Sequence, residues 1–257
     1  MTLHSTTVGS GPAQVVLLHG FLGQGKNWTT IAQGIADVAT CHLVDLPNHG
    51  RSPWTDEFSL DSQAGLVAAW LREGVRRPVV LVGHSLGGKV AMRLALTHPD
   101  LVERLMVVDI APAEADARAG FAHLIAALQA LDITRLSSRT EADRLLSDAI
   151  TDPQVRGFLL QNLRRESGAW RWAANLDLLA RSLPEVGSWS SDGAPYPGPV
   201  WWVAGGRSDY IQPHHLPVMR ALFPRVVTMT LKRAGHWVHA DDPAAFTATL
   251  RAFLAAR

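Results

Sequence analysis

Six short apolar runs, separated by stretches of helical periodicity, set the main limit on the fold. They fall at 14–18, 39–46, 78–82, 104–110, 199–204 and 226–231. Four are almost continuous in apolar residues, the pattern of strands buried on both faces of a parallel sheet. Helical patterns at 28–37, 59–75 and 86–98 separate the first four runs, and another at 213–223 separates the last two. A final one, 242–256, keeps Ala245, Phe246, Thr249, Leu250 and Phe253 on one face. Such alternation predicts an α/β fold with a mostly parallel sheet flanked by helices. A chain of 257 residues fits one such domain and needs no disulfide or metal staple.

The alternation breaks between Ala111 and about Trp189, where no strand pattern is evident. Phe121, Leu124, Ile125, Leu128 and Leu131 have the spacing of one amphipathic helix, and 143–150, 154–163 and 172–181 read as three more. The stretch is too long for a structureless loop. We expect a helical cap over 111–189, seated on a core of 1–110 and 190–257, with 187–199 as the returning loop.

Charge excludes some functions. Twenty-four basic residues balance 23 acidic ones, a net charge of +1, which argues against a nucleic-acid footprint or an acidic tail. No apolar run is long enough to span a membrane, and the polar first ten residues lack the pattern of a signal peptide. The single cysteine, Cys41, reads as a buried strand residue and fits a reducing compartment. A cytoplasmic protein, monomer or dimer, is expected.

The sharpest chemical signal is Gly83-His84-Ser85-Leu86-Gly87. It follows an apolar run and opens a helical pattern, the setting a nucleophile elbow requires, and its flanking glycines suit a tight turn. A serine nucleophile needs a base. His236, in the loop after the last run, is the candidate, while His239 reads as structural. The base needs a carboxylate to fix its tautomer. Asp209, in the usual acid position, and Asp109, at the end of run 104–110, both qualify, with Asp177 a distant third. Oxyanion donors are expected from the backbone N–H groups of Leu86 and of Phe21 in His19-Gly20-Phe21-Leu22-Gly23. Trp237, with Phe21 and Leu22, is a candidate lining for an apolar substrate pocket, whereas Trp201 and Trp202 read as sheet packing. His214-His215 has no third ligand nearby and reads as surface helix, so no metal and no cofactor is expected.

Together His19-Gly20, Asp45-x-x-Asn48-His49-Gly50-Arg51-Ser52, Gly83–Gly88 with Lys89, Val108-Asp109-Ile110-Ala111-Pro112, Asn175-Leu176-Asp177 and Gly235–Ala240 resemble the α/β-hydrolase superfamily. Within it they look like the YbfF-type esterases and thioesterases and their mitochondrial abhydrolase relatives. The resemblance implies an α/β-hydrolase fold with the helical cap inserted after the sixth strand. It also implies cleavage of carboxylic esters or acyl thioesters of small to medium chains, through an acyl-enzyme and without a cofactor. It raises the standing of Asp109, because some relatives lack an aspartate where Asp209 stands.

Segments 18–23 and 44–47 are also similar to the menaquinone-pathway cyclohexadiene-carboxylate synthase, a lyase of the same fold. That activity would call for cations facing a dicarboxylate. Arg51, Lys89, Arg164, Arg165 and Arg171 are candidates, although solvated helix faces are the plainer reading, and Lys89 is expected to face solvent or pair locally. A ligand-sensing member of the fold with slow turnover is the third alternative.

Overall fold

The computed structural model describes residues 2–75 and 77–256. Met1, Arg76 and Arg257, which the expected core ranges include, lie outside the described residues. Seven strands form one sheet: β1 (Ser5–Val8), β2 (Ala13–Leu18), β3 (Ala39–Val44), β4 (Val79–His84), β5 (Val102–Val108), β8 (Val200–Gly205) and β9 (Val226–Leu231). Their order is β1-β3-β2-β4-β5-β8-β9. All pairs are parallel except β1 with β3. The short antiparallel β1 was not legible, because Ser5-Thr6-Thr7-Val8 sits at a half-exposed edge and carries one apolar residue.

The central strands β2, β4 and β5 are largely buried, since helices cover both faces. Leu60–Gly74 and Leu86–Thr97 pack on one face, and Thr29–Gly34 and Pro243–Ala255 on the other. Adjacent tryptophans on β8 therefore point to opposite layers. Trp202 packs against Phe223 and donates its indole N–H to the Ile110 carbonyl at 2.7 Å, while Trp201 packs against Phe253. Both serve the sheet. Cys41 on β3 is fully buried, and burial pushes its thiol up to about 12, which leaves it without thiolate character.

The insertion leaves the sheet after β5, the fifth strand of this chain and not the sixth. It contains the helices Ala117–Ala130, Arg139–Leu146, Pro153–Leu159, Leu176–Arg181 and Leu183–Gly187. It also holds an antiparallel hairpin, β6 (Leu163–Glu166) with β7 (Ala169–Trp172), where only helices were expected. The hairpin turns on Ser167 and Gly168 at φ 50° and 86°, the two-residue turn whose twist suits paired strands. Its strands are only four residues long and half charged, so the alternation of Trp170 and Trp172 is too short to announce it. The helix expected at 172–181 begins instead at Leu176, where the Asn175 side chain accepts from the Leu178 N–H.

Two cations on one helix tie the insertion to the core. Lys89 is 2% exposed, and its ammonium donates to the carbonyls of Gly187 at 2.7 Å, Ser188 at 2.9 Å and Val186 at 3.4 Å. These carbonyls end the helix Leu183–Gly187, where a positive charge is favoured. Arg93, one turn on, donates to the carbonyls of Ser190 and Asp192 and to the Asp61 carboxylate. The Ala115 N–H also reaches the Gly187 carbonyl at 2.9 Å, so the outgoing and returning segments of the insertion meet at one point. Lys89 thus neither faces solvent nor pairs locally, and burial pushes its ammonium down to about 8. Replacing it by methionine leaves buried carbonyls without a donor. Lys89→Met is expected to lower stability by about 2 kcal/mol or more, read as a lower urea midpoint at unchanged slope.

Candidate active site

The chain runs from β2 outward to β3, then returns to place β4 on the other side of β2. At such a reversal, the loops beyond the carboxyl ends of neighbouring strands splay apart and leave a crevice. The loop after β2 carries His19–Gly23, and the turn after β4 carries Ser85.

Ser85 has φ 52° and ψ −119°, a conformation a side-chain-bearing residue adopts only under constraint. Close packing supplies the constraint. A Cβ on Gly83 would lie 2.2 Å from the Gly87 carbonyl oxygen, and one on Gly87 would lie 2.5 Å from that of His19. The Ser85 N–H is held by the Val108 carbonyl at 3.1 Å. Leu86 follows as the first residue of helix Leu86–Thr97, so its N–H belongs to the unpaired end of a helix.

Two buried histidines shape the opposing loop. His19 Nε2 accepts from the Leu46 N–H at 3.0 Å, which puts its proton on Nδ1, facing the Gly20 carbonyl at 2.8 Å. His49 Nε2 accepts from the Leu22 N–H at 3.2 Å, and its Nδ1 faces the Pro47 carbonyl at 2.9 Å. With the Leu22 N–H on His49 and the Gly23 N–H on the Gly20 carbonyl, both later amides of the loop are engaged. Leu22 itself sits at φ 57°.

His236 Nδ1 lies 2.8 Å from Asp109 Oδ2. Asp109 is fully buried at the end of β5 with φ 50°. Its carboxylate also accepts from the Gly205 N–H at 2.9 Å and from the Ser208 hydroxyl. Asp209, the other candidate acid, is exposed, and its carbonyl accepts from the Gln212 side chain. The loop after β8 instead turns Ser208 inward, so the inward-facing anion comes from β5. Asp177 is farther from consideration still, bonded to Gln129 on the insertion.

Tyr210 went unnoticed in the sequence. Its ring stacks on His236, with centroids 3.8 Å apart and planes within 16°. Burial, with the charges of Asp209 and Asp109, raises its phenol pKa. His84 also contributes, its Nε2 lying 2.8 Å from the His236 carbonyl. No sequence signal marks either residue beyond proximity to a motif. His239 stacks on Trp28 at 4.1 Å and pairs with no carboxylate among the described residues.

Ser85 and His236 line a cavity of about 220 Å³ whose other walls include Phe21, Leu22, Phe121, Phe158 and Trp237. No Lys, Arg, Asp or Glu lines it. A second cavity, of about 260 Å³, also touches Ser85 and Phe21 and includes Leu86, Lys89, Glu114 and Asp209. Arg51, Arg164 and Arg171 line a different groove, while exposed Arg165 bonds the Gly168 carbonyl. Among the described residues no cluster of three His, Cys, Asp or Glu is placed to hold a metal. His214 and His215 pack on one another, with His215 Nδ1 accepting from the Gln212 N–H.

A seven-stranded sheet with this elbow defines the class. The chain belongs to the alpha/beta hydrolase family, whose model matches residues 15–249. It is 38% identical over 247 residues to the mouse (Mus musculus) sn-1-specific diacylglycerol lipase ABHD11, covering 94% of this chain and 80% of that one. It is 28% identical to Esterase YbfF of Escherichia coli over 93% of this chain and 92% of that one. A solved marine microorganism esterase superimposes with a TM-score of 0.95 at 34% identity, covering 98% and 99% of the two chains.

The buried histidines carry a stability cost in acid. Burial, followed by the charge of His19, pushes His49 down to about 3; burial, followed by the charge of His236, does the same to His239. Burial also lowers His19 and His84. Below the unfolded value of 6.5, the unfolded chain takes up protons that the folded chain refuses. Stability is thus intact above that pH and is lost as pH falls toward 3, by about 2 kcal/mol per fully neutral histidine at pH 5. Urea midpoints are expected to drop between pH 7 and pH 5, and less steeply in His239→Leu.

Proposed function

We infer that the chain is an ester hydrolase working through an acyl-enzyme. The observation that carries this reading is the His236–Asp109 pair at 2.8 Å, with His236 and Ser85 on the wall of one apolar cavity. With the Nδ1 proton given to Asp109, the Nε2 lone pair of His236 is free to serve as base. Ser85 Oγ attacks the substrate carbonyl and His236 takes its proton. The N–H groups of Phe21 and Leu86 receive the developing oxyanion. The leaving alcohol or thiol departs with the proton from His236. Water, deprotonated by His236, then attacks the acyl-serine, and as the ester bond breaks His236 returns that proton to Ser85 Oγ and the acid is released. Stacking by Tyr210 holds the ring of His236 in its plane.

The uncharged walls of the 220 Å³ cavity suit a small to medium acyl chain, so Leu22, Phe21 and Trp237 contact that chain. The named activities of the relatives, a diacylglycerol lipase and an esterase, favour an oxygen ester with an alcohol leaving group; thioesters are a further substrate class to assay. Residues 111–189 act as the cap that closes the cavity, contributing Phe121 and Phe158. For a dicarboxylate lyase the site offers no free cation, since Lys89 is spent on backbone carbonyls.

Ser85→Ala is expected to reduce hydrolysis of p-nitrophenyl esters by several orders of magnitude while the urea midpoint stays near that of the parent; retained turnover would sink the nucleophile assignment. Asp109→Asn is expected to cut kcat by about 10³-fold or more, and Asp209→Asn to leave it within a few-fold. The opposite ranking would return the acid role to Asp209. A chain with an intact site but negligible turnover on every acyl length would favour ligand sensing.

A further inference from the structure

The arginines absent from the serine cavity gather in a groove of about 750 Å³ between the Gly50–Trp54 loop and the hairpin β6–β7. Arg51 and Trp54 lie on one side, and Arg164, Glu166 and Arg171 on the other. The groove shares no lining residue with either cavity at Ser85.

Its basic groups outnumber the acids beside them. Arg164 and Arg171 are directly paired across the hairpin, so they project from the same face, and like charges so placed weaken a hairpin. None of Arg51, Arg164 and Arg171 is in an ion pair among the described residues. Three arginines and one glutamate line the groove, and the buried Asp45 behind it, which accepts from the Arg51 N–H and acts favourably on Arg164, takes up one further charge, so the arginines stay in excess. The same field reaches Lys26, whose ammonium is lowered by burial and then by the charges of Arg164 and Arg139, with Asp45 acting the other way.

The groove is also pre-arranged. The Arg164 guanidinium donates to Gln24 Oε1 at 2.9 Å, and Gln24, 2% exposed, is itself fixed through its amide to Gln161 and Asn162. A guanidinium held in this way loses little freedom on meeting an anion. Trp54, 52% exposed, offers an apolar surface at the edge.

We propose that this groove binds the phosphate of a phosphomonoester, with Arg51, Arg164 and Arg171 on its oxygens and the organic part of the ligand against Trp54. A phosphate monoester carries nearly two negative charges at neutral pH and three strong acceptors, enough to engage three guanidinium groups at once; a carboxylate offers one charge and two oxygens. Arginine forks suit that geometry. The phosphate belongs either to a soluble ester or to the headgroup of phosphatidic acid. The site is independent of the reading of Ser85.

The test uses the full chain and its Ser85→Ala variant. Phenyl phosphate is titrated by calorimetry and tryptophan fluorescence, and vesicles of phosphatidylcholine with and without phosphatidic acid are tested by sedimentation. Saturable binding to at least one probe is expected, equal in Ser85→Ala, weakened by added salt, and about tenfold or more weaker in Arg171→Glu and in Arg51→Glu. Arg171 is exposed, so its reversal leaves the fold intact. Response to phenyl phosphate alone assigns a soluble ester, and response to phosphatidic acid vesicles alone assigns the headgroup; response to both supports the site itself. Three results overturn the proposal: no saturable binding to either probe, unchanged affinity in both charge reversals, or benzoate binding as tightly as phenyl phosphate.

Discussion

The buried Asp109 carboxylate is the knot of this structure. It stands at the end of β5 in a left-handed backbone conformation and gathers the Gly205 N–H from β8, the Ser208 hydroxyl from the next loop and the His236 ring from the loop after β9. An anion removed from water must be met by donors, and here the donors come from the end of β8 with its following loop and from the loop after β9. Satisfying the charge therefore fixes the relative positions of the loops after β5, β8 and β9. Stacking Tyr210 on His236 completes the arrangement from the same side.

Neutral buried groups do comparable work on the other wall. His19 and His49 each use one ring nitrogen to accept from a backbone N–H and place the other against a carbonyl. They hold the loop after β2 against the segment 45–51, where Asp45 accepts from the N–H groups of Gly25 and Arg51. Left-handed backbone at Leu22, Ser85 and Asp109 puts three constrained residues around one crevice. Strain of this kind persists where surrounding structure enforces it, and the packing of Gly83 and Gly87 against neighbouring carbonyls is that enforcement.

The insertion is fastened differently. Its exit and return meet at the Gly187 carbonyl, where Lys89 and the Ala115 N–H converge, and Arg93 extends the fastening to Ser190 and Asp192. Both cations lie on the helix that begins at Ser85, so the seat of the insertion and the position of the serine are linked through one rigid element. The hairpin side is fastened by neutral partners instead, with Gln24 of the core bonded to Arg164, Gln161 and Asn162, and it leaves Arg51 and Arg171 outside any ion pair among the described residues.

Much of this was legible in the residues. Near-continuous Val and Leu runs marked the buried parallel strands, because both faces of such strands are covered. The glycine spacing around Ser85 marked the elbow, because only small residues fit there. What the residues left open was set by distant neighbours. Asp109 and Asp209 both end strands, and only the path of the loop after β8 turned Ser208 inward and left Asp209 in water. The hairpin at 163–172 was unreadable because its apolar face spans too few residues to set a period, and the burial of Lys89 because periodicity does not report where a charge points. Local sequence thus determined the six parallel strands, the elbow and the candidate base. Tertiary structure decided which carboxylate reaches that base, where Lys89 points and where the arginines gather, because each depends on contacts between segments far apart in the chain.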